Sequence, residues 1–142
     1  LRFFTVFGPW GRPDMLILKL LDSIKKKNFF YINNFGNHAR DFTFIDDVTN
    51  IVFNLFLKYK KIKTFDYFNI CSNKPINLMN IINHIVKRSK KIKLKKISFQ
   101  KADVLKTHGS NKKIQNLIKY RKFGNIFKSI DKTIDWHKKI NY

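Results

Sequence analysis

The side chains able to do chemistry are few in this protein, and their types and spacing narrow what they could do. In a chain rich in lysine, only Arg2, Arg12, Arg40, Arg88 and Arg121 carry a guanidinium. A guanidinium offers a planar fork that grips a carboxylate or phosphate bidentately, whereas a lysine ammonium acts as a point charge, so each arginine marks a place where the fork can matter. Tyr59-x-x-x-Lys63 has the spacing of a catalytic Tyr–Lys pair. It sits in a lysine-rich run at the end of a predicted helix, where short patterns recur by accident, and we read it as non-catalytic. His38, His84, His108 and His137 are scattered, and Cys71 has no second thiolate near it, so no metal site is expected. Cys71, in the run Phe68-Asn69-Ile70-Cys71, reads as a small core residue and fits a reducing, cytosolic compartment. Gly8 and Gly11 lack the third glycine of a dinucleotide-binding turn. Gly8-Pro9-Trp10-Gly11 also differs from a nucleic-acid-clamping GxxG loop, because its Pro-Trp centre has no cation.

The elements that must hold these residues follow from local pattern. Leu1 to Phe7 is an aromatic and β-branched run stopped by Gly8-Pro9, as in a buried strand. Pro13 in a first turn and Asp14 as cap predict a helix carrying Met15, Leu16, Ile17, Leu18, Leu20, Leu21 and Ile24 and ending at Lys25-Lys26-Lys27. The unpaired N–H groups at that helix opening would form an anion site. Phe29 to Ile32 predicts a strand, Asn33 to Asn37 a loop and Phe42 to Ile45 a short strand. Asp46-Asp47 opens a helix through Val48, Ile51, Val52, Leu55 and Phe56 to the Lys58–Lys61 end, acids first and bases last. Phe65 to Cys71 is a further strand, Asn77 caps a helix with Ile81, Ile82 and Ile85, and Lys91 to Phe99 alternates like a half-exposed strand. Helices over Asn111 to Tyr120 and Ile126 to Ile140 complete an α/β or α+β alternation with no internal repeat.

Composition sets the outer bounds. The chain of 142 residues is 44% hydrophobic, which suits one domain with its own core and excludes disorder as the main state. No apolar stretch approaches the ~18 residues of a membrane helix, so a cytoplasmic protein without a membrane partner is expected. The formal net charge of +21 would suggest a polyanion partner. All nine acids are Asp, however, and Lys, Asn, Ile and Phe dominate, a bias toward residues with A/T-rich codons. Much of the basicity is therefore a solvated surface, and a small basic nucleic-acid-binding module stays as the alternative function.

Arg2-Phe3-Phe4-Thr5-Val6-Phe7-Gly8-Pro9-Trp10-Gly11-Arg12-Pro13-Asp14-Met15 and Gly36-Asn37-His38-Ala39-Arg40-Asp41-Phe42-Thr43-Phe44-Ile45-Asp46-Asp47 together resemble the nucleotide-sugar epimerases of the extended short-chain dehydrogenase family. Within it, the Gly-Pro-Trp-Gly-Arg-Pro-Asp-Met run is similar to the UDP-glucuronate 4-epimerase branch. Phe68-Asn69-Ile70 with Ser72-Asn73, and Asp103-Val104-Leu105 with Thr107, resemble later landmarks, though Ala102 stands where a glycine is common and Gln100-Lys101 lacks the usual proline.

The resemblance implies an α/β fold, the C-terminal remnant of a doubly wound Rossmann-type sheet plus a small α+β substrate-binding cap. Residues 1–14 and 41–72 would belong to the sheet, and 15–40 and 73–142 mainly to the cap. The N-terminal NAD-binding half, with the catalytic Tyr and Lys, would lie upstream of Leu1. Implied too are NAD as cofactor, a UDP-sugar as substrate, a homodimer as the full-length enzyme, and interconversion of UDP-glucuronate and UDP-galacturonate through a 4-keto sugar, with this portion inactive alone. Thr5 and Arg12 would hold the sugar carboxylate, backbone at Met15 and the Arg40 side chain the phosphates, and Asn33 the uracil region, where it replaces an aromatic. Gln100 and Asp103 would contact substrate, and Phe3 would border the nicotinamide. For Arg40 the competing expectation is an ion pair with Asp41 or Asp46. Strands Leu1 to Phe7 and Phe65 to Cys71 should pair in parallel, with apolar faces exposed beside them.

Overall fold

The computed structural model describes residues 1–62, 65–89, 92–99, 103–120 and 122–140. Lys63, Gln100 and Ala102 lie outside the described residues. The first strand run is two short pieces, β1 (Arg2–Phe3) and β2 (Val6–Phe7). It ends at Gly8, whose φ is 144° and whose place only glycine fits, because an added Cβ would lie 2.5 Å from Ile45 Cγ2. Gly11 N–H closes the turn on Gly8 carbonyl at 3.2 Å.

Helix α1 (Leu16–Lys25) starts later than its sequence suggests. Met15 precedes it without a side-chain cap, and Asp14 does not cap it. The Asp14 carboxylate instead takes Arg12 Nη2–H at 2.6 Å, since a neighbouring guanidinium outcompetes neutral backbone N–H groups for it. The helix buries Ile17, Leu18, Leu20, Leu21 and Ile24 at the spacing of one helical face. β3 (Phe30–Ile32) follows, buried, exposed, buried, as alternate sides of a strand should be. A tight turn over Asn33–Gly36 then puts Asn34, Phe35 and Gly36 at positive φ.

The chain continues through β4 (Ala39–Asp41) and β5 (Thr43–Phe44) into α2 (Ile45–Phe56). Asp46 and Asp47 lie in the first turn of α2, where the helix dipole favours acids. Asp47 does more than that: it is buried and accepts Tyr120 O–H at 2.8 Å and Gly124 N–H at 3.2 Å. β6 (Asn69–Ile70) covers only part of the strand expected over Phe65 to Cys71, because pairing is confined to the stretch beside β1, and Phe65 is fully exposed. β7 (Pro75–Asn77) leads into α3 (Leu78–Arg88), capped as expected by Asn77, whose side chain accepts Met79 N–H. β8 (Leu94–Lys96), α4 (Lys112–Ile118) and α5 (Ile126–Lys139) complete the mixed α/β fold.

Parallel pairing joins β1 to β6 in the register Arg2↔Asn69 and Phe3↔Ile70. The same run pairs onward as β2 with β5, Val6↔Thr43. Farther along, β3 and β8 pair in parallel, and β4 runs antiparallel to β7 with Leu105–Thr107 along its other side. Two apolar clusters hold these pieces. One collects α1, α3 and α5 over Phe7, Phe30, Phe42 and Phe44; the other collects α2 and α4 over Phe68 and Ile70, and Ile45 borders both. Leu1, Phe3, Phe53, Phe56 and Leu57 are exposed. Among the described residues no helix is long and apolar enough to cross a membrane.

Candidate functional site

β4 places Arg40 because both of its edges are occupied, by β7 on one side and by Leu105–Thr107 on the other. The guanidinium is largely shielded, its side chain 18% exposed. Nη1–H groups donate to the Ala39 and Leu105 carbonyls at 3.0 and 3.3 Å, and Nη2 lies 3.9 Å from Asp103 Oδ1. The ion pair with Asp41 or Asp46 does not form. Asp41 faces inward to other donors, and Asp46 meets Lys132 at 3.4 Å.

Asn33 reaches the same carboxylate from the end of β3, its Nδ2–H donating to Asp103 Oδ2 at 3.0 Å. Three residues named from sequence, Asn33, Arg40 and Asp103, thus converge from distant segments. They line a cleft of about 310 Å³ with Asp14, Lys19, Tyr31 and His38. His38 went unrecognised as a site residue in the sequence. It is 2% exposed, and its Nε2 lies 4.0 Å from Asp103 Oδ2. The signal lay in its place inside the Gly36–Asp47 run, but one of four scattered histidines is distinguished only by burial.

The other expected residues lie next to this cleft. Thr5, Arg12 and Met15 line a small crevice of about 20 Å³ with Gly8, Gly11 and Phe42, and Leu16 borders both spaces. Arg12 grips Asp14 bidentately in the open, Nε to Oδ1 at 3.1 Å and Nη2 to Oδ2 at 2.6 Å. That hydrogen bond holds the Asp14 carboxyl below its usual range. Met15 N–H donates to the Arg12 carbonyl at 3.2 Å and Lys19 N–H opens the helical ladder on the Met15 carbonyl, so the amides left without a helix partner at this end are those of Leu16, Ile17 and Leu18. Phe3 is 54% exposed on β1 and lines neither space.

Two further groups, Cys71 and Tyr59, take no part in either space. Burial, with the nearby Asp41 carboxylate, pushes the Cys71 thiol up to about 11, so it stays protonated and inert near neutrality. Tyr59 is exposed on a single turn over Tyr59–Lys61, stacked on Phe56, and lines neither space. The arrangement at Arg40 can hold an anion and accept hydrogen bonds from hydroxyls beside it. Among the described residues no group of three or more His, Cys, Asp or Glu side chains is placed to hold a metal ion.

The sequence pattern of the NAD dependent epimerase/dehydratase family matches residues 1–71. An uncharacterized protein of Methanocaldococcus jannaschii is 36% identical over 137 residues, covering 96% of this chain and 41% of that protein. The UDP-glucuronate 4-epimerase of Thermodesulfobacterium geofontis is 34% identical over 140 residues, 96% of this chain and 42% of the enzyme. Among solved structures, a variant UDP-glucuronic acid 4-epimerase from Bacillus cereus, in complex with UDP-4-deoxy-4-fluoro-glucuronic acid and NAD, superposes with a TM-score of 0.85. It is 25% identical, over 96% of this chain and 44% of that one. An NAD dependent NDP-hexosamine 5,6-dehydratase shares the fold at a TM-score of 0.86 and 22% identity, over 99% of this chain and 45% of that one. The chain spans less than half the length of these relatives.

Proposed function

Because the chain belongs to the NAD dependent epimerase/dehydratase family, we propose that it supplies the substrate-binding portion of a UDP-sugar epimerase that interconverts UDP-glucuronate and UDP-galacturonate. The observation that carries this reading is the convergence of Arg40, Asp103 and Asn33 in one cleft, a guanidinium beside a carboxylate and an amide. A nucleotide-sugar presents the complementary groups, phosphates for the guanidinium and hydroxyls for the carboxylate. In this reading residues 1–14 and 41–72 belong to the nucleotide-binding sheet, and 15–40 and 73–142 mainly to the substrate-binding cap.

The work of these residues is binding and orientation. Arg40 holds the diphosphate, and its two carbonyl contacts keep the fork from swinging away. Thr5 and Arg12, across Leu16 from Arg40, restrain the uronate carboxylate; to do so, Arg12 must exchange its exposed Asp14 partner for the ligand. Restraint of this kind holds a reacting sugar in one attack geometry.

NAD supplies hydride acceptance and return in this family reading, with Phe3 bordering the nicotinamide. Gly8 and Gly11 do not fit its pyrophosphate. They face Ile45, Phe44, Leu18 and each other, so their missing side chains make room for the protein's own packing and not for a ligand. No redox step is therefore assigned to this chain's residues, and by itself the chain should bind nucleotide-sugar without turning it over.

Calorimetry with UDP, UDP-glucuronate and a single-stranded oligonucleotide tests the reading. Saturable binding of UDP and UDP-glucuronate with weak salt dependence supports it. Oligonucleotide binding whose affinity falls steeply with salt, without UDP binding, would favour a basic nucleic-acid module instead.

A further inference from the structure

A buried imidazole nitrogen with nothing to bond to is costly, so His38 Nε2 calls for an explanation. Its Nε2 is shielded from solvent and has no hydrogen-bond partner among the described residues. The main chain is well tied down, with the His38 carbonyl accepting Leu78 N–H at 2.9 Å at the start of α3, and the ring lies 6.3 Å from the Phe99 ring. The ring is 2% exposed and so confined by its packing, and Nε2 faces the Asp103 carboxylate across 4.0 Å. That distance is too long for a hydrogen bond and about 1.2 Å longer than a good one.

The carboxylate is the movable member of the pair. Asp103 is 31% exposed, Asn33 is its one hydrogen-bond partner among the described residues, and Arg40 Nη2 stands off at 3.9 Å. A guanidinium and an imidazole nitrogen therefore flank one carboxylate, each about an ångström beyond bonding distance. Shielding keeps Nε2 from touching a ligand directly, so any influence on binding must pass through Asp103.

We propose that His38 is a positioning residue for nucleotide-sugar binding: when a ligand's phosphates take up the Nη2–H groups of Arg40, Asp103 closes onto His38 with Nε2 carrying the proton, which fixes the carboxylate to accept a hydroxyl of the ligand. This rests on the reading of the cleft as a nucleotide-sugar site and deepens it by one residue that none of the sequence motifs singled out. The exchange is electrostatically sensible. As phosphates take over the guanidinium, the Asp103 carboxylate loses its cationic neighbour, and the imidazole N–H replaces that donor.

The test is a double-mutant cycle on UDP affinity, measured by calorimetry on the full chain. His38→Leu should weaken UDP about tenfold when Asp103 is present and less than twofold in an Asp103→Ala background. His38→Gln, whose amide can donate from nearly the same place, should recover most of the loss. A merely structural histidine gives the same loss in both backgrounds, and that result overturns the proposal while leaving the cleft reading intact. Absence of UDP binding by the unmutated chain overturns both. Should His38→Leu fail to fold by circular dichroism, the imidazole ¹⁵N resonances decide. UDP should shift Nε2 of His38, and not those of His84 or His137, in the unmutated chain, and the shift should vanish in Asp103→Ala; persistence there overturns the proposal.

Discussion

Asp41 Oδ2 accepts the Gly109 N–H at 3.1 Å, a buried bond between residues 68 positions apart. The other oxygen accepts Ser72 N–H at 3.1 Å and Ser72 O–H at 2.7 Å. One fully buried carboxylate therefore ties β4 to the chain leaving β6 and to the segment entering α4. Arg40 is the preceding residue on β4, so the knot anchors the strand that carries it.

Replacing Asp41 by Asn should be severe, because an amide turns an N–H toward donors and leaves at least one of them unmet in a buried place. A loss of about 3 kcal/mol in unfolding free energy is expected, against about 1 kcal/mol for Ser72→Ala. Urea denaturation midpoints at fixed slope measure both. Equal, small losses would show that the knot is not a source of stability. Gly109→Ala should fail similarly, since an added Cβ would sit 2.6 Å from Cys71 Sγ and 2.7 Å from Phe4 Cζ.

Arg40→Lys should weaken UDP and UDP-glucuronate alike, by about 1.5–3 kcal/mol or roughly ten- to a hundredfold, because a point charge cannot reproduce a bidentate phosphate contact. Arg12→Lys should leave UDP affinity within about twofold and weaken UDP-glucuronate more, as its assigned partner is the uronate carboxylate. Calorimetry on both ligands separates the two. Parallel losses of UDP affinity in both variants would remove the carboxylate role from Arg12.

Stability should decline at alkaline pH through Tyr120. Burial and its hydrogen bond to Asp47 push the hydroxyl up to about 12, from an ordinary value near 10. A group raised on folding contributes fully below its unfolded value, and the contribution is lost as pH rises through the folded one. The window is therefore about pH 10 to 12. Tyr120→Phe should be less stable at pH 8 and should show a flatter decline above pH 10 than the unmutated chain. Identical slopes in denaturation series at pH 8 to 11.5 would assign the decline to other groups.

Cys71 should be almost silent toward thiol reagents in the folded state. A thiol pushed up to about 11 by burial holds little thiolate at pH 8, and the side chain is also out of reach. Modification by a chromogenic disulfide should be at least about a hundredfold slower in buffer than in denaturing urea. Comparable rates would mean that the β6 end opens readily.

Much of the architecture was readable one segment at a time. The apolar spacing of Leu16, Ile17, Leu20, Leu21 and Ile24 specified α1, and Asn77 announced α3 by a cap that the structure shows. Helices depend on neighbours three and four residues away, so a linear sequence displays what holds them. The cap of α1 escaped because Arg12 and Asp14 could pair with each other as easily as with backbone, and short-range competition among polar groups has no periodic signature. The parallel pairing of Leu1 to Phe7 with the Phe65 to Cys71 segment was foreseeable from the resemblance, but its length was not. Pairing over two residues a strand is a matter of which neighbours the tertiary packing brings alongside.

By itself the sequence determined the helix faces, the strand-and-helix alternation and the arginines capable of gripping an anion, because charge geometry and hydrophobic period are properties of local chemistry. Only the tertiary structure decided that Arg40 meets Asp103 and not Asp41, that Asp41 turns inward to Ser72 and Gly109, and that His38 is left buried opposite a carboxylate. Those outcomes hang on distances between segments far apart along the chain. They are set by how the two apolar clusters pack, which no spacing within one segment encodes.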